Sequence, residues 1–201
     1  MSTPDLNPVS YVVLGLVARD GPCTPYDIKV AVGRGIAHFW PFPHSQIYSE
    51  AARLADLGLL AGEQEASGRR RHVYSITDAG TKTLEEWLAE PSREHPQHRS
   101  LGLLQLYFGH FATPEDRMAL ANAQLEVCKE LLGVYQEIAQ RLRPREDMAW
   151  QLRVAEMAIA QTRAIAGQWE AIVSACGESA DSGSADSGSA DTGSADTGSA
   201  S

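Results

Sequence analysis

The 201-residue sequence lacks long apolar runs and has only three cysteines. No stretch approaches the ~18 consecutive apolar residues that a membrane-spanning helix needs, and the polar N-terminus has no secretory-signal pattern. These absences predict a cytoplasmic protein without a membrane span. Cys23, Cys128 and Cys176 are isolated in the chain, so neither a disulfide framework nor a zinc site is expected, and the thiols are predicted to be buried and reduced.

Basic residues are scarce as well. The chain has 17 Lys and Arg residues against 26 Asp and Glu residues, which gives a formal net charge of −9 at pH 7. Such an acidic total is a poor signature for a protein that binds nucleic acid. However, residues 177–201 contain five acidic and no basic side chains. Local patches of charge, rather than the total, must therefore decide the question.

Motifs for catalysis or metal binding are also missing. His95, His98 and His110 come nearest to a metal-binding set, but no acidic residue or thiol at fixed spacing joins them. Neither a phosphate-binding loop nor a local nucleophile–base signature is present. The sequence therefore predicts no enzyme, no resident metal and no cofactor.

Two changes in composition divide the chain. Pro91 and Pro96, together with charged residues and histidines, interrupt the periodic pattern. From Ser179 the chain repeats S-A-D-S-G and S-A-D-T-G, which offers no large apolar residue to offset the entropy of ordering. The predicted organisation is an N-terminal unit over residues 8–90, a helical unit over 100–176 and a disordered acidic tail over 177–201.

The N-terminal unit alternates helical patterns with a short hairpin. Its predicted elements are a buried helix over 10–18, a second helix over about 24–36, a stiff turn over 40–43, a third helix over about 44–57, strands over about 61–65 and 72–76, and a last helix from Thr77. Helices two and three form a helix-turn-helix, and the hairpin forms its wing. The predicted fold class is mainly α: a winged helix-turn-helix of three helices plus a β-hairpin, followed by a helical domain.

The third helix has two different faces. Ile47, Ala51 and Leu54 share one face at i, i+4 and i+7 spacing, which predicts burial. The opposite face is polar without strong charge, and it suits a surface that forms hydrogen bonds. It consists of Ser45, Ser49, Ala52, Arg53 and Asp56, with Gln46 and Tyr48 on its flanks.

The helical unit begins with an apolar segment, 101–111, that is predicted to be buried. Two long helices follow, and each keeps the 3–4 spacing of apolar residues that is typical of coiled-coil-like packing. On the last helix Val154, Ala158, Ile165 and Ile172 form a second apolar set. Because a single partner helix covers only one face, a second subunit is expected to cover the other, and the unit is predicted to be a dimerisation domain.

Several short motifs follow one another along the chain. They are Ile47-Tyr48, Arg53-Leu54, Gly58-Leu59, Gly68-Arg69-Arg70-Arg71-His72-Val73-Tyr74, Thr77-Asp78-Ala79-Gly80, Trp87-Leu88 and the run LQLYFG at 104–109. Together, over about residues 10–176, they resemble the PadR family of transcriptional regulators with the longer helical C-terminal domain. The resemblance implies a homodimer that represses a nearby gene and is released by a small-molecule effector. Ser45-Gln46 stands where the family commonly has Gly-Ser, so an operator sequence does not carry over from relatives.

The third helix is predicted to enter the major groove of operator DNA with its N-terminus first. Ser45, Gln46 and Ser49 would then approach base edges, since Gln pairs bidentately with adenine and Ser is permissive. Tyr48 and Arg53 are predicted to contact phosphates, with a core position as the alternative for Tyr48.

The wing carries the strongest local positive charge. Contacts with the phosphate backbone or the minor groove are predicted for Arg69, Arg70, Arg71 and His72. Lys29 and Arg34 on the second helix are weaker candidates for phosphate contacts. The alternative for the arginines is a solvated run of charge, and the alternative for the protein is a winged-helix module that binds proteins and not DNA. The wing favours DNA, whereas the acidic total charge mildly favours the alternative.

Aromatic side chains of the helical unit offer large apolar surfaces that suit either a ligand pocket or a core. The candidates for an effector pocket are Tyr107, Phe108, Trp150 and Trp169. Ordinary core packing is the alternative, and the sequence favours it.

Overall fold

The computed structural model describes residues 5–64, 72–97 and 99–185, with side chains as far as Gly177. The chain divides into two compact units between Pro96 and Gln97. The division falls within the segment where proline and charge interrupt the helical pattern. None of the described helices combines the length and the apolar composition that crossing a bilayer requires.

The first unit is mainly helical and carries one small sheet. Its elements are α1 (Pro8–Asp20), α2 (Pro25–Gly33), α3 (Ser45–Asp56), β1 (Leu60–Gln64), β2 (His72–Ile76) and α4 (Asp78–Ala89). Their order matches the winged helix-turn-helix that the sequence predicts.

The second helix is shorter than predicted. It ends at Gly33 and not at about Ile36, where a separate 3-10 turn, Ile36–His38, begins. Gly33 and Gly35 explain the difference, because glycine has a poor helix propensity.

Reciprocal capping boxes form at the starts of α1 and α2. Thr24 Oγ1 accepts a hydrogen bond from Asp27 N at 3.3 Å, and Asp27 Oδ2 accepts one from Thr24 N at 2.9 Å. This reciprocal capping box satisfies two N–H groups that the helix itself leaves free. Asn7 caps α1 in the same way, with Ser10 as its partner. In contrast, α3 begins after His44 without a side-chain cap.

The core of the first unit lies around α1. Val13, Leu14 and Val17 are fully buried. They belong to one cluster with residues of α2, α3 and the hairpin: Ile28, Val32, Ile47, Ala51, Leu54, Leu59, Leu60 and Tyr74. Burial of one such side chain contributes about 1.5–3 kcal/mol, so the shared cluster holds α3 firmly against α1. The inner face that the sequence predicts for the third helix is confirmed.

The wing is attached to the rest of the unit at its base. The two strands pair antiparallel over five residue pairs. On the other side of β2, Cys23 N donates to Tyr74 O at 3.0 Å and Tyr74 N donates to Cys23 O at 2.9 Å. This bridge joins the hairpin to the segment that precedes α2. Residues 65–71, which follow β1 and precede β2, lie outside the described residues.

The second unit is a long helical hairpin with a short helix at its start. Its elements are α5 (Leu101–Tyr107), a 3-10 turn (Gly109–Phe111), α6 (Pro114–Leu142), a 3-10 turn (Glu146–Met148) and α7 (Ala149–Ala185). A short connection joins the two long helices, which pack along their length and therefore run antiparallel.

Contacts along the hairpin follow the predicted seam. Near the start of α6, Ala121 and Cys128 pack with Trp169. Near its end, Ile138 and Ala139 pack with Ala155. Most of these residues belong to the 3–4 pattern of the sequence, which confirms the predicted coiled-coil-like packing of the two helices.

The prediction that segment 101–111 is buried is wrong for the single chain. Leu101, Tyr107 and Phe111 are 71%, 79% and 82% exposed. Within the unit, α5 packs on α6 through one side, where Leu106 joins the cluster around Trp169. A helix that is apolar all round needs neighbours on several sides, and the described part of the chain supplies them on one side only.

The single chain covers the second apolar set of α7 only in part. Val154 and Ile165 are exposed, and Ala158 and Ile172 are half-buried. Ile172 packs against the cluster around Trp169, whereas Val154 and Ile165 remain open to solvent.

The last helix extends further than the sequence predicts. The backbone of α7 is helical as far as Ala185, so disorder from residue 177 onward is not what the structure describes over 177–185. Alanine and serine can prolong an existing helix without a new nucleation step, which explains the extension. The remainder of the repeat tail, 186–201, lies outside the described residues.

Candidate nucleic-acid interface

The outward face of α3 is polar and open to solvent. Ser45, Gln46 and Ser49 are exposed, while Ile47 and Leu54 are fully buried behind them. The helix is thus held by its inner face and presents its N-terminal half outward. The structure brings the three residues that were predicted to read bases together on one surface.

The backbone, rather than side chains, closes the start of α3. Gln46 N donates to Pro43 O at 3.0 Å, and Ile47 N donates to His44 O at 3.2 Å. The side chain of Gln46 forms no hydrogen bond with the described residues, so its amide can donate and accept toward a ligand. The Ser49 hydroxyl donates to Gln46 O at 3.2 Å and keeps its lone pairs available as acceptors.

Tyr48 lies at the surface and not in the core. Its side chain is 48% exposed, and it is not part of the buried cluster around α1. Its hydroxyl has no hydrogen-bond partner among the described residues. This placement favours the surface interpretation over the core alternative.

A charged cluster lies between α1 and α3. Arg53 Nη2 lies 2.7 Å from Glu50 Oε1, and Arg53 Nε lies 3.1 Å from Glu50 Oε2, which makes a bidentate ion pair. Ser10 Oγ donates to Glu50 Oε1 at 2.5 Å and accepts from Arg53 Nη2 at 3.1 Å. Glu50 is only 7% exposed. We refer to these three residues as the Ser10–Glu50–Arg53 cluster.

The cluster keeps both ionisable partners charged. Burial raises the pKa of Glu50, but hydrogen bonds from Arg53 and Ser10, together with the charge of Arg53, outweigh burial and hold the pKa below its usual value. The hydrogen bond to Glu50 raises the pKa of Arg53. Sequence analysis missed Glu50 and Ser10. The one local signal, a carboxylate three residues before an arginine, is common on solvated helix faces.

The structure describes the predicted wing and α2 residues in part. His72 is exposed at the start of β2, with its ring centroid 6.3 Å from that of Tyr74. Lys29 is half-buried on α2, and Arg34 is exposed just beyond the end of that helix. The remaining predicted contacts lie outside the described residues: Arg69, Arg70 and Arg71.

The four aromatic candidates for an effector pocket do not meet in one place. Trp169 is 3% exposed and packs in the α6–α7 seam, whereas Trp150 is 83% exposed. With a rise of 1.5 Å per residue, these two positions on α7 are about 28 Å apart. Tyr107 and Phe108 do meet, with ring centroids 5.1 Å apart in an edge-to-face arrangement. Trp169 is therefore a core residue.

An open apolar groove of about 530 Å³ lies between α5 and α6. Phe108 lines it together with Leu101, Leu104, Phe111 and Leu120. Aromatic and aliphatic side chains dominate its walls, which makes it a surface that the described chain leaves unfilled.

The described residues include no cluster that could hold a metal ion, and two of the three thiols have a raised pKa. No three His, Cys, Asp or Glu side chains lie close enough there to hold a metal ion. The three cysteines are free, and burial, followed by the charges of Asp27 and Asp20, raises the pKa of Cys23 to about 11. Burial also raises the pKa of Cys128. Both thiols are protonated near neutral pH, so they are poor nucleophiles.

In the first unit a tight turn leads into α3, which has an exposed polar face, and the hairpin of β1 and β2 follows. These elements define a winged helix-turn-helix. The first unit matches the family model of PadR-like transcriptional regulators. The family model of that description matches residues 13–86, and the model of the virulence activator alpha C-terminal domain matches residues 99–167.

Individual relatives agree with this assignment. The negative transcriptional regulator PadR of Bacillus subtilis (strain 168) is 27% identical over 142 residues, which are 68% of this chain and 78% of the relative. The crystal structure of Bacillus subtilis PadR in complex with operator DNA is similar with a TM-score of 0.76 and 23% identity, covering 86% of this chain and 99% of that chain. Its complex with p-coumaric acid gives 0.73 and 24%, covering 84% and 98%. At these identities the structures show a shared fold.

Proposed function

We propose that this chain is a homodimeric regulator that binds operator DNA through α3 and the wing and represses transcription until a small molecule releases it. The observation that carries the proposal is the exposed polar face of α3, which is backed by a fully buried apolar face. Such a helix is rigidly held, yet free to enter a major groove. Binding to operator DNA also implies that the protein works in the cytoplasm of a bacterium.

In this proposal Gln46 reads a base edge, and Ser45 and Ser49 approach neighbouring bases. Further contacts to the DNA backbone come from Tyr48, His72 and Lys29. The wing arginines contact phosphates or the minor groove. A Bacillus subtilis protein with the same fold has been solved with operator DNA, which supports this mode of binding. Arg53 has a different environment, and its role is developed in the next subsection.

The uncovered apolar surfaces of the second unit support a homodimer. Leu101, Leu104, Phe108 and Phe111 around α5, and Val154 and Ile165 on α7, are all exposed in the single chain. Soluble monomers rarely expose such extended apolar patches, whereas homodimer interfaces are more apolar than the rest of a protein surface. A second copy of the chain offers matching apolar faces, because a two-fold axis presents the same surface on both sides.

Repression and release are proposed from the relatives. The matching regulator of Bacillus subtilis is described as negative, and its structure has been solved with p-coumaric acid. We place the response to an effector in the second unit, where Tyr107 and Phe108 lie on the surface that a second subunit would cover. A small aromatic molecule bound there would change the geometry of the dimer.

DNA binding is tested by selection, so the operator sequence need not be specified in advance. The full-length protein selects duplexes from a random-sequence pool, and fluorescence anisotropy then measures its affinity for the enriched sequence. Gln46→Ala is expected to weaken that affinity about tenfold, the effect of one lost base contact. The control Gln136→Ala removes another exposed glutamine, which lies on α6. No enrichment by the wild-type protein would favour the alternative, a winged-helix module that binds proteins.

Three further measurements test the remaining parts of the proposal. Sedimentation equilibrium reports whether the protein is a dimer. Titration of the protein–DNA complex with p-coumaric acid and related phenolic acids reports whether a small molecule releases the DNA. A reporter gene downstream of the selected sequence separates repression from activation.

A further inference from the structure

Arg53 lies near the outward face of α3, yet most of its guanidinium is already engaged. Nε and Nη2 donate to Glu50, Nη2 also donates to Ser10, and Nη1 donates to Asp5 O at 3.3 Å. The guanidinium thus donates four hydrogen bonds to the described residues, and all three of its nitrogens take part. A phosphate ligand keeps its donors for DNA, so this arrangement differs from the phosphate contact that the sequence predicts for Arg53.

The Ser10–Glu50–Arg53 cluster also carries no net charge. The negative charge of the Glu50 carboxylate neutralises the positive charge of the Arg53 guanidinium, with Oε1 and Nη2 2.7 Å apart. Cationic side chains strengthen DNA binding chiefly by displacing counterions from phosphates. A cation that the protein itself neutralises contributes little to that effect. Arg53 therefore contributes to the proposed DNA-binding surface by orienting α3 rather than by adding positive charge.

The geometry concerns how α3 sits on α1. The apolar seam between these helices holds them together, but hydrophobic contacts have no preferred direction. Hydrogen bonds do, because they weaken steeply when donor and acceptor are misaligned. Ser10 on α1 is bonded to both Glu50 and Arg53 on α3, and Arg53 reaches the backbone before α1 as well. These bonds define the rotation of α3 about its own axis.

We propose that the Ser10–Glu50–Arg53 cluster sets the orientation of α3 and thereby determines how well the protein distinguishes its operator from other DNA. Glu50 and Arg53 are positioning residues in this view, and Arg53 is not a phosphate ligand. A rotation of α3 displaces Gln46 relative to the base edges, whereas contacts to the DNA backbone tolerate it. The inference rests on the proposed DNA-binding function.

The test compares two affinities for each full-length variant. One is for the duplex that the wild-type protein selects from a random pool, and the other is for a scrambled duplex of equal length, both measured at several salt concentrations. The variants are Glu50→Gln, Arg53→Gln and the double variant, which keeps the net charge of the wild type. The control Glu126→Gln breaks an exposed ion pair with Lys129 on α6 and changes the net charge as Glu50→Gln does.

The expected results differ between the variants. Glu50→Gln releases the Arg53 guanidinium toward DNA, so binding to the scrambled duplex tightens and the slope of log affinity against log salt steepens by up to about one. The ratio of the two affinities falls about tenfold, the size of one mismatched base pair. In the double variant the scrambled-duplex affinity returns to the wild-type value while the ratio stays low. Glu126→Gln leaves the ratio unchanged.

Other results overturn the inference. If Arg53 is a phosphate ligand, Arg53→Gln and the double variant lose about one unit of salt slope, and Glu50→Gln does not steepen it. If the cluster only stabilises the fold, all variants melt at lower temperature by circular dichroism but keep the wild-type ratio.

Two safeguards keep the test decisive. Should Glu50→Gln fail to fold, Ser10→Ala removes a single hydroxyl and is expected to lower the ratio by a smaller factor; an unchanged ratio in that folded variant counts against the inference. A wild-type protein that selects no sequence refutes the proposed function itself, whereas wild-type selection with unchanged ratios in the variants refutes only the role of the cluster.

Discussion

Gly80 stands in the first turn of α4, where that helix meets the start of the wing. A Cβ atom built at this position would collide with the carbonyl oxygen of Leu59 and would lie 2.9 Å from Ile76 Cγ1. The same place is fixed by hydrogen bonds: Thr77 Oγ1 accepts from Gly80 N at 3.0 Å and donates to Gly58 O at 2.8 Å. Gly80→Ala is therefore expected to destabilise the first unit, although alanine stabilises most helices.

The size of the effect follows from two opposing contributions. Alanine favours a helix interior over glycine by about 1 kcal/mol. Forcing an extra methyl group into a closed site costs about 1–3 kcal/mol, and the cost lies at the upper end here because the nearest obstacle is backbone rather than a flexible side chain. The net expectation is a loss of about 2 kcal/mol in the free energy of unfolding, or roughly 8–16 °C in the melting temperature of a unit of this size.

Thermal unfolding by circular dichroism measures this loss, at equal protein concentrations because a dimer's melting temperature depends on concentration. The matched control is Gly133→Ala on α6, where nothing lies within 4 Å of the new methyl group. That variant is expected to melt at or above the wild-type temperature. A Gly80→Ala protein as stable as Gly133→Ala would refute the reasoning, because the close contacts at position 80 would then cost no stability.

Three more predictions concern assembly, thiol chemistry and acid stability. Leu104→Glu is expected to raise the dissociation constant of the proposed dimer, and sedimentation equilibrium that finds the wild-type constant would exclude α5 from the interface. Cys23 is expected to react with iodoacetamide at pH 8 about 100-fold more slowly than an ordinary thiol, because its pKa of about 11 leaves little thiolate; peptide mass mapping after timed quenching would reveal faster labelling. Since the pKa of Glu50 is lower in the folded than in the unfolded chain, its contribution to stability is present above the unfolded value of about 4.3 and is lost as pH falls through the folded value. Between pH 7 and pH 3 the melting temperature should therefore fall less steeply for Glu50→Gln than for the wild type. Equal dependence of the melting temperature on pH in the two proteins would count against the ion pair.

Sequence patterns were sufficient where burial follows from spacing along one helix. The inner face of α3 and the seam between α6 and α7 are both set by apolar residues three and four positions apart. Each pattern repeats over several turns, so the spacing alone identifies the buried face, whatever packs against it. The same applies to helix starts, where threonine and proline act locally.

The charged cluster escaped sequence analysis because its members are far apart in the chain. Ser10 and Glu50 are separated by 40 positions, and only the packing of α1 on α3 brings them together. A buried serine and a buried glutamate both contradict the usual preference of these residues for solvent. The sequence identifies Arg53 as a cation, but only the fold shows that Glu50 neutralises its charge.

Segment 101–111 shows a different limit. Its composition indicates that it becomes buried, but composition does not say which chain covers it. The same holds for Trp150 and Trp169, which look alike in sequence although one is exposed and the other lies in a core. The difference in exposure depends on the side chains that pack against each tryptophan, and those differ between the two ends of α7.

The bridge between Cys23 and Tyr74 has a consequence for how such proteins diversify. It anchors the hairpin through β2, so this attachment does not depend on the length or the sequence of the segment that joins the two strands. Lengthening a surface loop costs little, roughly 0.6 kcal/mol for each doubling. On the proposed function, relatives that differ only in the residues between β1 and β2 would contact different lengths of DNA, while α3 keeps its position against α1.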